Sequence, residues 1–167
     1  MGRKTKRTAF FAVVFVAQVA FAQEPGIRAD QGAPAPHRPD VTATAGGVPQ
    51  VNITAPNQAG LSYNRYQQFD VGSKGAILNN SRQHVQTELG GWVDGNPNLA
   101  RNSASIIVNE VNSSRPSQLG GFLEVAGQRA DVIIANPSGI DVNGFGFINT
   151  RQGTLTTGVP QLDAQGN

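Results

Sequence analysis

The residues able to act on bonds are the carboxylates Asp70, Glu88, Asp94, Glu110, Glu124, Asp131 and Asp141. Cleavage of a glycosidic bond needs two carboxyl groups facing one cleft at roughly 5 to 9.5 Å. Nothing in the spacing of these seven enforces such a pair. His84 is the only histidine beyond His37, and the chain has no cysteine, so no His-rich metal cluster, thiolate site or Ser-His-Asp set can be assembled. Gly144-Phe145-Gly146 lacks the third glycine and the following helix of a dinucleotide loop and reads as a strand bend. Acidic-glycine calcium repeats are absent as well. An extracellular β-helix enzyme acting on polysaccharide therefore stands only as a rival reading.

More distinctive are two turns, Asn96-Pro97-Asn98-Leu99 and Asn136-Pro137-Ser138-Gly139-Ile140. In each, proline supplies the φ wanted at the second position of a type I turn, and asparagine at the first can bond back to the turn backbone. Their candidate jobs are contact with a partner or locking of the turn. Trp92, Tyr63 and Tyr66 offer a further possibility, a carbohydrate-stacking surface; burial against a core is the commoner fate of such rings.

The elements holding these turns read as short strands. Segments 75–78, 105–111, 121–125, 131–135, 146–148 and 153–157 are rich in β-branched or aromatic residues and bounded by Gly, Asn, Pro and Ser. No later window repeats apolar residues at i, i+3, i+4 and i+7, so the fold class is all-β. Ile77-Leu78-Asn79, Ile107-Val108-Asn109, Ile133-Ile134-Ala135-Asn136 and Phe147-Ile148-Asn149 end alike, as corners repeated between layers would. The steps of 30, 27 and 13 residues between these asparagines fit a solenoid with coils of roughly 20 to 30 residues. A β-sandwich with Asn-rich loops fits the strands equally well.

Residues 1–22 read as a signal peptide. Arg3, Lys4, Lys6 and Arg7 precede the apolar run 9–17, too short for a membrane span, and Ala20-Phe21-Ala22 is a small-x-small site cut before Gln23. Removing them leaves nine basic and eleven acidic side chains, 9 − 11 = −2, so the pI near 9.4 is no sign of a nucleic-acid binder. Residues 23–47, with four of the ten prolines and few large apolar groups, read as a disordered leader. The folded domain is expected over 48–167.

Residues 47–53, 55–57, 64–71, 78–81 and 118–131, with the two Asn-Pro turns, closely resemble the secretion domain of two-partner secretion (TpsA-type) exoproteins, the filamentous-haemagglutinin-like proteins. Asn96 to Leu99 matches that family's NPNL motif. Asn136 to Ile140 matches its NPNGI motif with Ser138 in place of the second asparagine. Many members carry a cysteine pair where Val142 and Phe145 stand here.

The resemblance implies a right-handed parallel β-helix with an N-terminal cap, no cofactor and no catalysis. It implies Sec export to the periplasm of a Gram-negative bacterium, recognition there by an outer-membrane TpsB-type transporter through its POTRA domains, and a secreted or cell-surface destination. The Asn turns would serve recognition or folding. In full-length members a passenger follows, serving adhesion, haemolysis or contact-dependent inhibition, with its receptor on a host or bacterial cell. The chain stops at Asn167 without such a passenger and is expected to be an isolated or truncated secretion domain. A stand-alone carbohydrate-binding adhesin is the alternative.

Overall fold

A computed structural model describes residues 26–163. The expected signal peptide and its cleavage site at Ala20, Ala22 and Gln23 lie outside the described residues.

The strands wind into a three-faced β-helix. One face holds, in spatial order, β1 (Ile27–Ala29), β4 (Leu61–Phe69), β8 (Ile106–Val111), β11 (Ala130–Ala135) and β14 (Thr150–Thr156). A second holds β2 (Asp40–Ala43), β3 (Pro49–Asn52), β5 (Ala76–Asn80), β10 (Phe122–Gly127) and β13 (Gly146–Ile148). The third is β9 (Ser117–Leu119) beside β12 (Ile140–Val142), extended by a bridge from Leu119 to Val71. From β3 and β4 onward the stacking is parallel, as a coil returning to the same face requires. Ile106 pairs with Asp131 and Phe122 with Gly146, giving coils of 131 − 106 = 25 and 146 − 122 = 24 residues.

The first repeat is longer, because an excursion over residues 81–105 is inserted. It contains a hairpin, β6 (Val85–Thr87) and β7 (Gly91–Val93), and the first Asn-Pro turn. The insertion explains the irregular spacing of the asparagines, and so does their placement on different faces. Asn79 and Asn109 lie buried inside β5 and β8, while Asn136 and Asn149 sit at corners. Only Asn149 among the described non-glycine residues has positive φ, 54°. Two of the four expected corners are therefore interior strand positions.

The core is the inside of the coil. Tyr66, Phe69, Leu78, Ile107, Leu123 and Ile134 fill it, and on the second face Val51, Leu78 and Val125 stand one above another. Asn64 and Asn109 also point inward. Asn64 Nδ2 donates to Val108 O at 3.3 Å, Asn109 Nδ2 to Ile133 O at 3.2 Å, and Tyr66 Oη to Asn109 Oδ1 at 2.9 Å. Each bond crosses to the next coil and satisfies an amide that burial would otherwise penalise.

The cap is made by the segment read as a disordered leader, which corrects that expectation. β1 pairs antiparallel with β4 and β2 antiparallel with β3, closing the two parallel faces at one end. A 3-10 turn, Ala35–His37, joins them, with Pro34 at its start. Composition misled here for two reasons. Prolines 34, 36 and 39 lie in the connection between the cap strands. The strands themselves cover an open edge mainly with backbone bonds, which need few large apolar side chains. The described fold thus starts at Gly26, not near Val48.

Candidate functional site

Both Asn-Pro turns have the same internal wiring. Asn96 Oδ1 accepts the Asn98 N–H at 2.9 Å and Asn96 O accepts the Leu99 N–H at 3.1 Å. Asn136 Oδ1 accepts the Ser138 N–H at 2.9 Å and Asn136 O accepts the Gly139 N–H at 3.0 Å. Pro97 and Pro137 face solvent; both leading asparagines are buried.

The amide nitrogens bind coil to coil. Asn96 Nδ2 donates to Ile53 O and Asn79 O, each at 2.9 Å, bridging two layers of the second face. Leu99 then enters the main core. Asn98 Nδ2 reaches Ile53 O at 3.2 Å and the Asp40 carboxylate at 3.1 Å, tying the turn to cap strand β2. In the second turn Asn136 Nδ2 donates to Arg115 O and Ser117 Oγ at 3.0 Å, while Thr156 O of the next coil accepts the Asn136 N–H at 3.0 Å. Ser138, which replaces the motif's asparagine, donates through Oγ to Ser113 O at 2.6 Å. Gly139 stands at φ 114°, where a side chain would be strained, and Ile140 opens β12. The two turns occupy different corners of different coils, and no hydrogen bond joins them.

Asn98 also lines an open groove of about 1020 Å³ at the capped end, together with Ile27, Arg28, Arg38, Asp40 and Val41. β1 and β2 end their sheets, so each has one edge without a ladder partner among the described residues. Beside the groove, His37 meets the Tyr63 ring edge-on with centroids 4.9 Å apart. Tyr63 Oη donates to Glu110 Oε2, which lies 3.3 Å from Arg65 Nε. Arg65 Nε is enclosed and misaligned for a hydrogen bond, so that contact is an ion pair only. Burial, then the bond to Glu110, holds the Tyr63 phenol well above its usual range. Burial first and the Arg65 charge second hold His37 below its usual value, with Glu110 opposing. This cluster is not legible in the sequence, because Tyr63 and Glu110 meet only when two coils stack.

Most of the carboxylates are engaged in structure. Glu124 accepts the Glu88 and Leu89 N–H groups at 2.8 Å each, Asp70 accepts the Gln118 N–H at 2.9 Å, and Asp131 pairs with Arg151 at 3.0 Å. No group of three or more His, Asp or Glu among the described residues could hold a metal ion. Among the same residues no helix is long and apolar enough to cross a membrane. Of the three aromatics, Tyr66 is wholly buried against Phe69, Tyr63 is held by Glu110, and Trp92 is 62% exposed. Val142, at one of the family's cysteine positions, is exposed; Phe145, at the other, packs edge-on against Phe147.

Comparison with known proteins agrees with this architecture. The family model described as "TPS secretion domain" matches residues 26–167, including the cap. The crystal structure of the filamentous hemagglutinin secretion domain superposes with a TM-score of 0.75 at 41% identity, over 84% of this chain and 45% of that one. Toxin CdiA of Yersinia pestis is 50% identical over 154 residues, which is 92% of this chain and 5% of that protein. The 16S rRNA endonuclease CdiA of Enterobacter cloacae is 55% identical over 124 residues, 73% of this chain and 4% of that protein. The chain thus spans about a twentieth of these relatives, and their toxin and nuclease names describe far longer proteins. A match confined to a secretion domain points to a non-catalytic role for this region. The chain belongs to the TPS secretion domain family, the β-helical secretion domain of TpsA-type two-partner secretion exoproteins.

Proposed function

We propose that this domain is the export signal of a two-partner secretion exoprotein, delivered by Sec to the periplasm of a Gram-negative bacterium and recognised there by the POTRA domains of its TpsB-type transporter. The observation that carries the reading is a family match that runs through the cap and both Asn-Pro turns. Once outside, the chain stacks coil on coil. Each coil contacts only its neighbours, so layers can be added in order, and the first stack is the nucleus. The cap protects the open strand edges of that nucleus, and Asn98 joins cap and excursion across 58 residues of sequence. The turns 96–99 and 136–140 act chiefly in folding, since their amides are spent on internal carbonyls. Recognition falls to the cap segment that carries β1 and β2, which as an extended chain in the periplasm suits strand addition to a POTRA sheet. A passenger in the whole protein would carry the effector activity and meet the host or bacterial receptor.

The test is export of the tagged chain with and without its transporter, alongside melts of purified wild type, Asn98→Ala and Asn136→Ala. Partner-dependent export is expected. Export that ignores the transporter, from a well-folded wild type, would remove the reading. Normal melts with lost export would move the turns from folding to recognition.

A further inference from the structure

The β6–β7 hairpin covers the outer side of the second face. Val85, Leu89 and Val93 pack with Val48, Ile77 and Ala126 in a satellite cluster separate from the main core. The buried Glu124 carboxylate grips the turn through the Glu88 and Leu89 N–H groups, and Thr87 Oγ1 donates to Gly91 O at 2.7 Å. Gly90 sits so close that a Cβ there would lie 2.6 Å from both Ile77 Cδ1 and Thr44 Cγ2. The hairpin is therefore fixed to the solenoid.

Strand alternation sends the residues between those valines the other way. His84, Gln86, Trp92 and Asp94 are all exposed, Gln86 directly opposite Trp92 across the hairpin. The His84 imidazole stacks on the Trp92 indole, centroids 5.0 Å apart and planes at 10°, and His84 Nδ1 is 2.9 Å from Asp94 Oδ1. Burying apolar surface is the usual use of an indole, yet here the chain's only tryptophan is held out in water on a rigid support.

From this geometry we propose that the outer side of the β6–β7 hairpin is a binding site for a neutral pyranose unit of a glycan. The C–H face of the sugar lies on the indole face that His84 leaves open, and its hydroxyls meet the Gln86 amide across the hairpin, while the His84–Asp94 pair backs the indole from the other side. The flanking groups favour a sugar over a cation. The Asp94 carboxylate already holds His84, and the Gln86 amide makes no hydrogen bond within the described chain. An amide both donates and accepts, as a hydroxyl does. The site is independent of the secretion reading, which partner-dependent export tests separately.

Because Trp92 is the only tryptophan, fluorescence excited selectively at the indole, beyond the absorption of the two tyrosines, reports this site alone. Titration with maltohexaose, chitohexaose and mannohexaose, and with de-acylated polysaccharide from a bacterial outer membrane, should give a saturable blue shift with at least one. The first three probes against the last distinguish a general glycan from a bacterial-surface one. A single stacking platform predicts a Kd on the order of 1 mM. By calorimetry or ligand-observed NMR, Trp92→Ala should abolish binding and Gln86→Ala weaken it about tenfold, with melts close to wild type because both side chains are exposed. No spectral change with any of the four up to about 20 mM would overturn the proposal. So would unchanged sugar affinity in Trp92→Ala, or a response to an arginine-rich peptide and to no sugar.

Discussion

Asn96→Ala separates folding from recognition most sharply. The side chain makes three hydrogen bonds, one to the Asn98 N–H and two to the carbonyls of Ile53 and Asn79. Each contributes about 1 kcal/mol net, and an orphaned buried carbonyl costs more. Ile53 O keeps a second donor in Asn98, and Asn79 lies in the middle strand of its sheet, so the loss is counted as the three bonds alone. The expected loss is about 3 kcal/mol. For a domain of this size, at roughly 3 °C per kcal/mol, the melting temperature should fall by about 9 °C. Asn98→Ala removes only half-buried Nδ2 contacts and should cost about 1 kcal/mol, because the Asn98 N–H still reaches Asn96 Oδ1. Asn96→Asp sharpens the test. It keeps the turn acceptor but aims carboxylate oxygen at two carbonyl oxygens, so its folded-state pKa must rise above the unfolded value. Its stability is then present below the unfolded pKa and lost as pH rises through the folded one. Calorimetry at pH 4 and pH 8 reads this directly. If Asn96→Ala melted with wild type while export failed, the folding argument would be refuted.

The remaining predictions concern the cap and the hairpin. The folded-state pKa of His37 is lowered, so its stabilising contribution is present above pH 6.5 and lost as pH falls through the folded value. His37→Gln should therefore shrink the drop in melting temperature between pH 8 and pH 5. Glu124→Gln leaves one of the Glu88 and Leu89 N–H groups without its acceptor and should cost about 1 to 2 kcal/mol locally, seen as faster hydrogen exchange at those two amides. Ile27→Pro in β1 should weaken binding to the transporter's POTRA fragment at least tenfold while leaving exchange protection in β8 and β11 intact. Unchanged affinity would exclude the cap segment from recognition.

What could be read in the sequence were strands whose apolar residues run together. β8 and β11 carry Ile and Val on both sides, because one side fills the coil and the other is at least partly covered, while β10 sends Leu123 and Val125 inward. β4, the longest strand, was invisible for the opposite reason. Its inward positions include Ser62, Asn64 and Tyr66 while Leu61, Tyr63 and Arg65 face out, so the expected alternation is inverted. The hairpin was missed because its three-residue strands make sense only against the satellite cluster. The Asn-Pro turns were legible as turns, since their wiring is local. Their bonds to Ile53, Asn79 and Arg115 were not, because those partners meet only after the coils stack.

The reliance on buried amides follows from what the fold lacks. Stacked parallel coils of similar apolar content could slip along one another, and apolar contacts are too indiscriminate to prevent it. No cysteine can pin the register. Asn64, Asn79, Asn96, Asn109 and Asn136 do so instead, each finding a particular carbonyl or side-chain oxygen in a neighbouring layer. A slip of two residues would keep much of the apolar burial but leave these amides unpartnered, at about 1 to 3 kcal/mol each. The net gain in stability from any one bond is small, whereas the penalty against a wrong register accumulates over all five. A chain that must build its fold in one direction from a capped end therefore gains more from five buried asparagines than from five more leucines, which would deepen the correct stack and the slipped one alike.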